Sequence, residues 1–201
     1  MEGFCMKLLS HRKLFLPIAF FMAVLLTVLI ITLTICAADT SKETAVGTPK
    51  GQTLYTQFSL FYENNCHRTT NYRKGNLLPV NTEVKFVKAD HLNIVVTLPT
   101  GQNLKIENIQ KYSGEGIDGI FTRTFATKPV DLSKYTEDEK TAVMSGEVKI
   151  GMSKSAVILA LGYPPKHKTP SLQLNQWQYW WNRFNTFVVH FENEKVTQIE
   201  D

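Results

Sequence analysis

The alternation of apolar and polar positions divides the chain into five stretches. From Leu14 to Ala38 no residue is charged, and the run LFLPIAFFMAVLLTVLIITLTICAA has no polar face. A helix of that length, rising about 1.5 Å per residue, crosses a hydrocarbon core of about 30 Å. Residues 39–52, DTSKETAVGTPKGQ, are polar and carry Thr, Gly, Pro and Lys, the composition of a flexible tether.

Residues 53–110 read as all-β. An aromatic stretch runs from Tyr55 through Phe58, Leu60 and Phe61 to Tyr62. Asn64-Asn65 and Tyr72-Arg73-Lys74-Gly75 then supply turn chemistry. Glu83 to Val87 alternates, Leu92, Ile94, Val96 and Leu98 mark one face of a strand, and Pro99 to Gln102 form a turn before Leu104 and Ile106. Short strands with a turn every ten residues or so predict a meander that closes into a small barrel. Residues 111–135 are a connector. Ser113 to Gly116 break the β pattern, and Ile117, Ile120, Phe121 and Phe125 recur at near-helical spacing, predicting a short helix that Lys128-Pro129 ends. Gly119 weakens that helix by about 1 kcal/mol.

Residues 136–201 carry the clearest local signals. Thr136 with Glu139 makes a capping box, opening a helix that stops near Gly146. Ser153 caps a second helix, and Met152 can staple onto Val157, although Ala156 stands where the box would carry Glu. Gly162 is expected to be a left-handed cap, and Pro164-Pro165 forbid continuation. Trp177, Tyr179 and Trp181 alternate on one strand, and Phe187, Val189 and Phe191 on the next. A last strand runs from Val196 to Ile199, and the opposite parity of those two residues predicts a bulge. The order is α-α-β-β-β, two helices covering one face of a three-stranded antiparallel sheet. The other face then carries Gln176, Gln178, Trp180, Val188 and His190, a candidate partner-binding surface because Trp is enriched at binding hot spots. The plainer account of Trp180 is packing against the β-rich region or the 117–125 helix.

Composition leaves this reading intact. With 43% hydrophobic and 20% charged residues in 201, the chain is ordinary globular material. The net charge is +4, and Lys7, Arg12 and Lys13 against Glu2 supply half of it. No Lys/Arg cluster is interleaved with aromatics, so nucleic acid is not expected as a partner. The leading cations set the N-terminus in the cytoplasm and residues 40–201 on the non-cytoplasmic, periplasmic side. The segment has three open fates: a retained signal anchor, cleavage after Ala38 at Cys36-Ala37-Ala38, or lipidation of Cys36. Leu33 to Cys36 resembles a bacterial lipobox, with Ile35 in place of the small residue.

The chemistry-bearing residues are sparse. Cys66 is the single cysteine of the exported part, since Cys5 and Cys36 belong to the leader. His67, His91, His167 and His190 show no ligand spacing, and Asp138 and Glu139 sit where capping suffices. No catalytic residue, metal site or cofactor is expected, and the chain reads as a non-enzyme.

The residues Gly151-Met152-Ser153, Val157, Leu161-Gly162, Pro164, Trp177, Tyr179, Val189, Phe191 and Val196 together resemble the SmpA/OmlA (BamE-like) family, over residues 137–200. Residues 53–110 resemble a bacterial SH3-like barrel. The resemblances imply an α+β chain in five parts. These are a signal anchor or signal peptide (1–38), a linker (39–52), a small SH3-like barrel (53–110), a connector (111–135) and an α-α-β-β-β BamE-like domain (136–201). They imply a membrane-anchored adaptor or scaffold of the bacterial envelope, with the lipid bilayer and an envelope protein as partners, similar to outer-membrane assembly and integrity factors. The alternative is a module for cell wall or peptide, using Tyr55, Phe58, Phe61, Tyr62 and Tyr72 of the barrel. Those rings could equally fill the barrel's core.

Overall fold

The computed structural model describes residues 47–201. The apolar segment, Cys36 and most of the tether lie outside the described residues. The described chain forms one compact unit of mixed α and β structure, mostly strands, with two apolar cores.

The first core is wrapped by a half-barrel sheet. Its strands are β1 (Thr53–Thr56), β3 (Cys66–Arg68), β5 (Glu83–Ala89), β6 (Asn93–Thr97), β7 (Asn103–Glu107) and β8 (Phe125–Ala126), in the order β3-β7-β6-β5-β1-β8. The meander β5-β6-β7 follows from alternation: Ile94 faces Ile106 and Val96 faces Leu104 across one ladder, and all four are fully buried. The Asp90 carboxylate accepts from the Leu92 and Asn93 amides, both at 2.8 Å, which turns the chain between β5 and β6. Leu92 therefore lies in the turn, exposed, and not on the strand face. The expected closed barrel is not formed. The sheet ends at β3 and β8, and β3 pairs with β7 in parallel, which no simple meander gives.

A four-residue helix α1 (Gln110–Ser113) and α2 (Ile117–Thr124) follow, and Ile117 and Ile120 of α2 close the first core. The expected helix ends four residues before Lys128. Phe125 pairs with Thr56 as the start of β8 and buries its ring, and that edge pairing replaces the next helical turn.

The second core has the expected order α3 (Glu137–Ser145), α4 (Lys154–Leu161), β9 (Gln176–Trp180), β10 (Thr186–Glu192) and β11 (Lys195–Glu200). The sheet is antiparallel in the order β11-β10-β9. Trp177, Tyr179, Phe187, Val189 and Phe191 bury against Val143, Val157 and Leu161 of the helices. The register slips between His190 and Phe191, so the parity of Val196 and Ile199 does mark a bulge. Trp181 leaves the buried row, 39% exposed, with its indole 4.3 Å from the Phe187 ring.

The capping box of α3 is complete: the Glu139 amide donates to the Thr136 hydroxyl at 3.2 Å, and the Thr136 amide to Glu139 Oε2 at 3.1 Å. The other oxygen, Oε1, accepts from the Ser153 amide at 2.8 Å. The carboxylate missing from the start of α4 thus comes from α3. Gly162 ends α4 with positive φ, as expected of a cap, but its φ of 73° and ψ of −166° fall outside the left-handed helical region. That conformation is essentially restricted to glycine.

The chain between β1 and β5 ties the cores together. It carries a two-stranded ribbon, β2 (Leu60–Tyr62) with β4 (Asn76–Leu78). Ser59 donates its amide to Leu159 O and its hydroxyl to Val143 O, both at 2.8 Å, and Val80 buries in the second core. Asn71, at φ 57°, donates to Leu161 O at 2.6 Å, while the Tyr179 hydroxyl donates to Gly162 O at 3.0 Å.

Candidate functional site

The outer face of β9 and β10 holds the five residues named from the alternation. Gln176 stands opposite His190, Gln178 opposite Val188, and Trp180 opposite Thr186. Gln176 Nε2 lies 3.3 Å from His190 Nδ1, and His190 Nε2 lies 3.0 Å from Glu200 Oε2. Gln176, Gln178, Val188 and His190 line one shallow hollow of about 590 Å³. Trp180 is outside it. Its ring meets Tyr72 edge-on at 6.3 Å and stacks on His167 at 6.4 Å, while its carbonyl accepts from the Arg73 amide at 3.3 Å. The Trp is thus engaged by the segment after β3 and by the loop after α4.

A larger cleft, of about 710 Å³, opens where that segment meets the β9–β10 turn. Four cations line it, Arg68, Lys74, Lys105 and Arg183, against two carboxylates, Glu63 and Glu107. Lys74 pairs with Glu63 at 3.0 Å, and Arg68 and Lys105 share Glu107 at 3.3 and 3.4 Å. Burial works against the Glu107 charge, but Arg68 and Lys105 outweigh it and hold the carboxyl below its usual range. The cleft keeps a surplus of positive charge. Phe61 and Tyr72 supply apolar wall, and Phe184, 84% exposed, stands at the tip of the turn. The Thr70 hydroxyl is buried at the same wall without a partner.

Four of the five aromatics named from the sequence divide between two tasks. Phe58 belongs to the first core and Tyr62 packs against it, while Phe61 and Tyr72 reach the cleft. Tyr55 is half-buried on β1. Sequence patterning could not assemble this site, because its walls come from residues 61–74, 105–107 and 182–185. The available signal was the run of Asn and Arg with an apolar Phe184 in a turn, where exposure of a large ring has no packing reason.

Cys66 also lines the cleft, its thiol in no disulfide among the described residues and its Sγ 3.6 Å from Glu107 Oε2. Burial pushes its pKa up, which disfavours the thiolate. His67 is buried, with Nδ1 2.7 Å from Phe61 O, and burial lowers its pKa to about 4. Strand alternation sends the two side chains to opposite faces, so they do not form a nucleophile and base. Among the described residues no group of three or more His, Cys, Asp or Glu is placed to hold a metal, and no helix is long and apolar enough to cross a membrane.

No family model, curated protein or solved structure matches the chain.

Proposed function

We propose that residues 40–201 form a membrane-tethered, non-enzymatic adaptor on the non-cytoplasmic side of a bacterial envelope membrane, in the manner of SmpA/OmlA-like outer-membrane assembly and integrity factors. The observation that carries the reading is the cationic cleft. It has surplus charge from Arg68, Lys74, Lys105 and Arg183, exposed aromatic wall, and sides drawn from residues 61–74, 105–107 and 182–185. That is the anatomy of a surface for a macromolecular partner. The order α3-α4-β9-β10-β11 supports the family analogy, and the uncharged run from Leu14 to Ala38 supports the tether. A photo-crosslinker at Phe184 tests the reading in the native envelope. The expected result is a discrete protein adduct that Arg183→Glu removes. An adduct pattern indifferent to that charge reversal would discard the cleft as the docking surface.

The second reading, a cell-wall or peptide-binding module, draws on Phe61 and Tyr72, the two rings of the first half that reach the cleft. Co-sedimentation of the full-length protein with peptidoglycan, lost in Tyr72→Ala, would favour it over the adaptor.

A further inference from the structure

Phe61 also lines a second hollow, of about 460 Å³. Its wall is largely apolar, from Phe61, Val148, Leu161, Trp181, Phe187 and Ile199. One cation, Arg73, reaches it. Arg73 Nη2 donates to Gly146 O at the end of α3, and its guanidinium carbon lies 4.7 Å from the Phe61 ring centre. Nη1 is buried and has no hydrogen-bond partner among the described residues. Among the described residues no carboxylate forms an ion pair with this group. Glu147 lines the same hollow, but its ion-pair partner is Lys149 at 3.9 Å. Burial lowers the Arg73 pKa to about 10, although Tyr179 and the Glu147 charge favour the cation, and the group stays charged at neutral pH without a direct ion pair.

A charge in apolar surroundings is normally compensated, because desolvating it alone is costly. A guanidinium presents a planar fork that matches a carboxylate. The rest of the wall asks for an apolar body attached to that carboxylate. Ile199 adds a further constraint, since it belongs to β11, which has a strand neighbour on one side only. Past Val196 the outer edge of β11 makes no backbone hydrogen bond among the described residues. An extended polypeptide can pair with such an edge, and a fatty acid cannot.

We propose that this hollow captures the C-terminal residue of a partner polypeptide, with its α-carboxylate on Arg73 and its apolar side chain against Phe61, Trp181 and Phe187. An internal Asp or Glu carries its carboxylate on the side chain itself, whereas a terminal residue sets one beside a separate apolar side chain, so the pairing of the two reads chain ends. The inference uses none of the charges of the larger cleft, and the two stand or fall separately.

The test uses the full-length protein in lipid nanodiscs and fluorescence anisotropy of a labelled Gly-Ser peptide ending in phenylalanine. The free-acid peptide should bind at least about tenfold more tightly than its C-terminal amide, the value of one charge-assisted contact. Arg73→Lys keeps the charge and loses the fork, and should erase most of that preference. Because Arg73 also holds the end of α3, a second variant guards against misfolding. Glu147→Gln removes the rival carboxylate of the hollow while leaving the Arg73 contact to Gly146 O in place, and should keep or widen the acid-over-amide preference with an unchanged thermal melt. Equal binding of acid and amide, or no binding of either, overturns the proposal. So does a Glu147→Gln protein that melts lower and shows no preference, which would make Glu147 the counter-ion of Arg73. Octanoate binding as tightly as the peptide would overturn the chain-end assignment in favour of a free fatty acid.

Discussion

The two cores differ in make-up, Leu, Ile and Phe in the first against Val, Ala and large aromatics in the second, and they differ in how they are held. The second is fixed at its helix ends by local devices, the Thr136–Glu139 box, the Ser153 cap, Gly146 and Gly162, and carries a bulge in β11. The first is held by pairings between distant residues, such as β1 with β8 and β3 with β7. Local devices set where an element starts and stops, whereas distant pairings set which elements meet. A core held by distant pairings forms only when the whole chain has arranged itself, and the cleft likewise needs segments of both halves to meet.

The largest test of that contrast is Trp177→Ala. The indole is 1% exposed in the second core, and its loss should cost about 3–5 kcal/mol in urea melts. Ile94→Ala in the first core should cost about 2–5 kcal/mol. If the shared segment from Ser59 to Val80 couples the cores, each variant shifts a single transition recorded by both fluorescence and circular dichroism. Two separated transitions would mean that the cores are independent.

Gly162→Ala comes next. A Cβ there would lie 2.8 Å from two carbons of the Phe58 ring, and the backbone conformation is one that alanine avoids. The expected loss is about 3 kcal/mol, from strain and overpacking together. An ordinary helix cap would lose only about 1 kcal/mol. Adding Phe58→Leu should recover part of the loss, and a double variant no better than the single one would remove Phe58 from the explanation.

Glu139→Gln sharpens the comparison through pH. Burial opposes the Glu139 charge, but the Ser153 and Thr136 donors outweigh it and place the carboxyl below its usual 4.5. A folded value depressed in this way adds stability that is present above the unfolded value and lost as pH falls through the folded one. Wild type should therefore lose more stability than Glu139→Gln between about pH 5 and pH 3. At neutral pH the variant should be weaker by about 1–2 kcal/mol, since two amides lose a charged acceptor. Parallel acid titrations of the two proteins would count against the shared cap.

Phe184→Ala should have the smallest effect on stability, within about 0.5 kcal/mol, because the ring is exposed. A larger loss would show that the ring packs in solution.

The legible parts of the sequence were those with a short-range cause. The capping box, the Ser153 cap, the helix stop at Gly162, the buried row Trp177-Tyr179 and the β11 bulge each depend on residues a few positions apart. Alternation also placed Gln176, Gln178, Val188 and His190 on one face, and the plainer account of Trp180 named the β-rich region that holds Tyr72, but nothing in the pattern named His167, because a face does not name its neighbour. The parallel pairing of β3, the β2–β4 ribbon, the early end of α2 and the cationic cleft all depend on partners roughly 15 to 120 residues away. Glu139 shows both cases in one side chain: Oε2 serves a local box, and Oε1 serves the next helix.

The Ser59 hydroxyl has a consequence for synthesis. Its acceptor, Val143 O, lies 84 residues further along the chain. A chain emerging from a ribosome or a translocation channel presents Ser59 and Val80 long before α3 and α4 exist to receive them. The early half must wait with an apolar surface open, and is then the part that a holding chaperone would meet during passage to its destination.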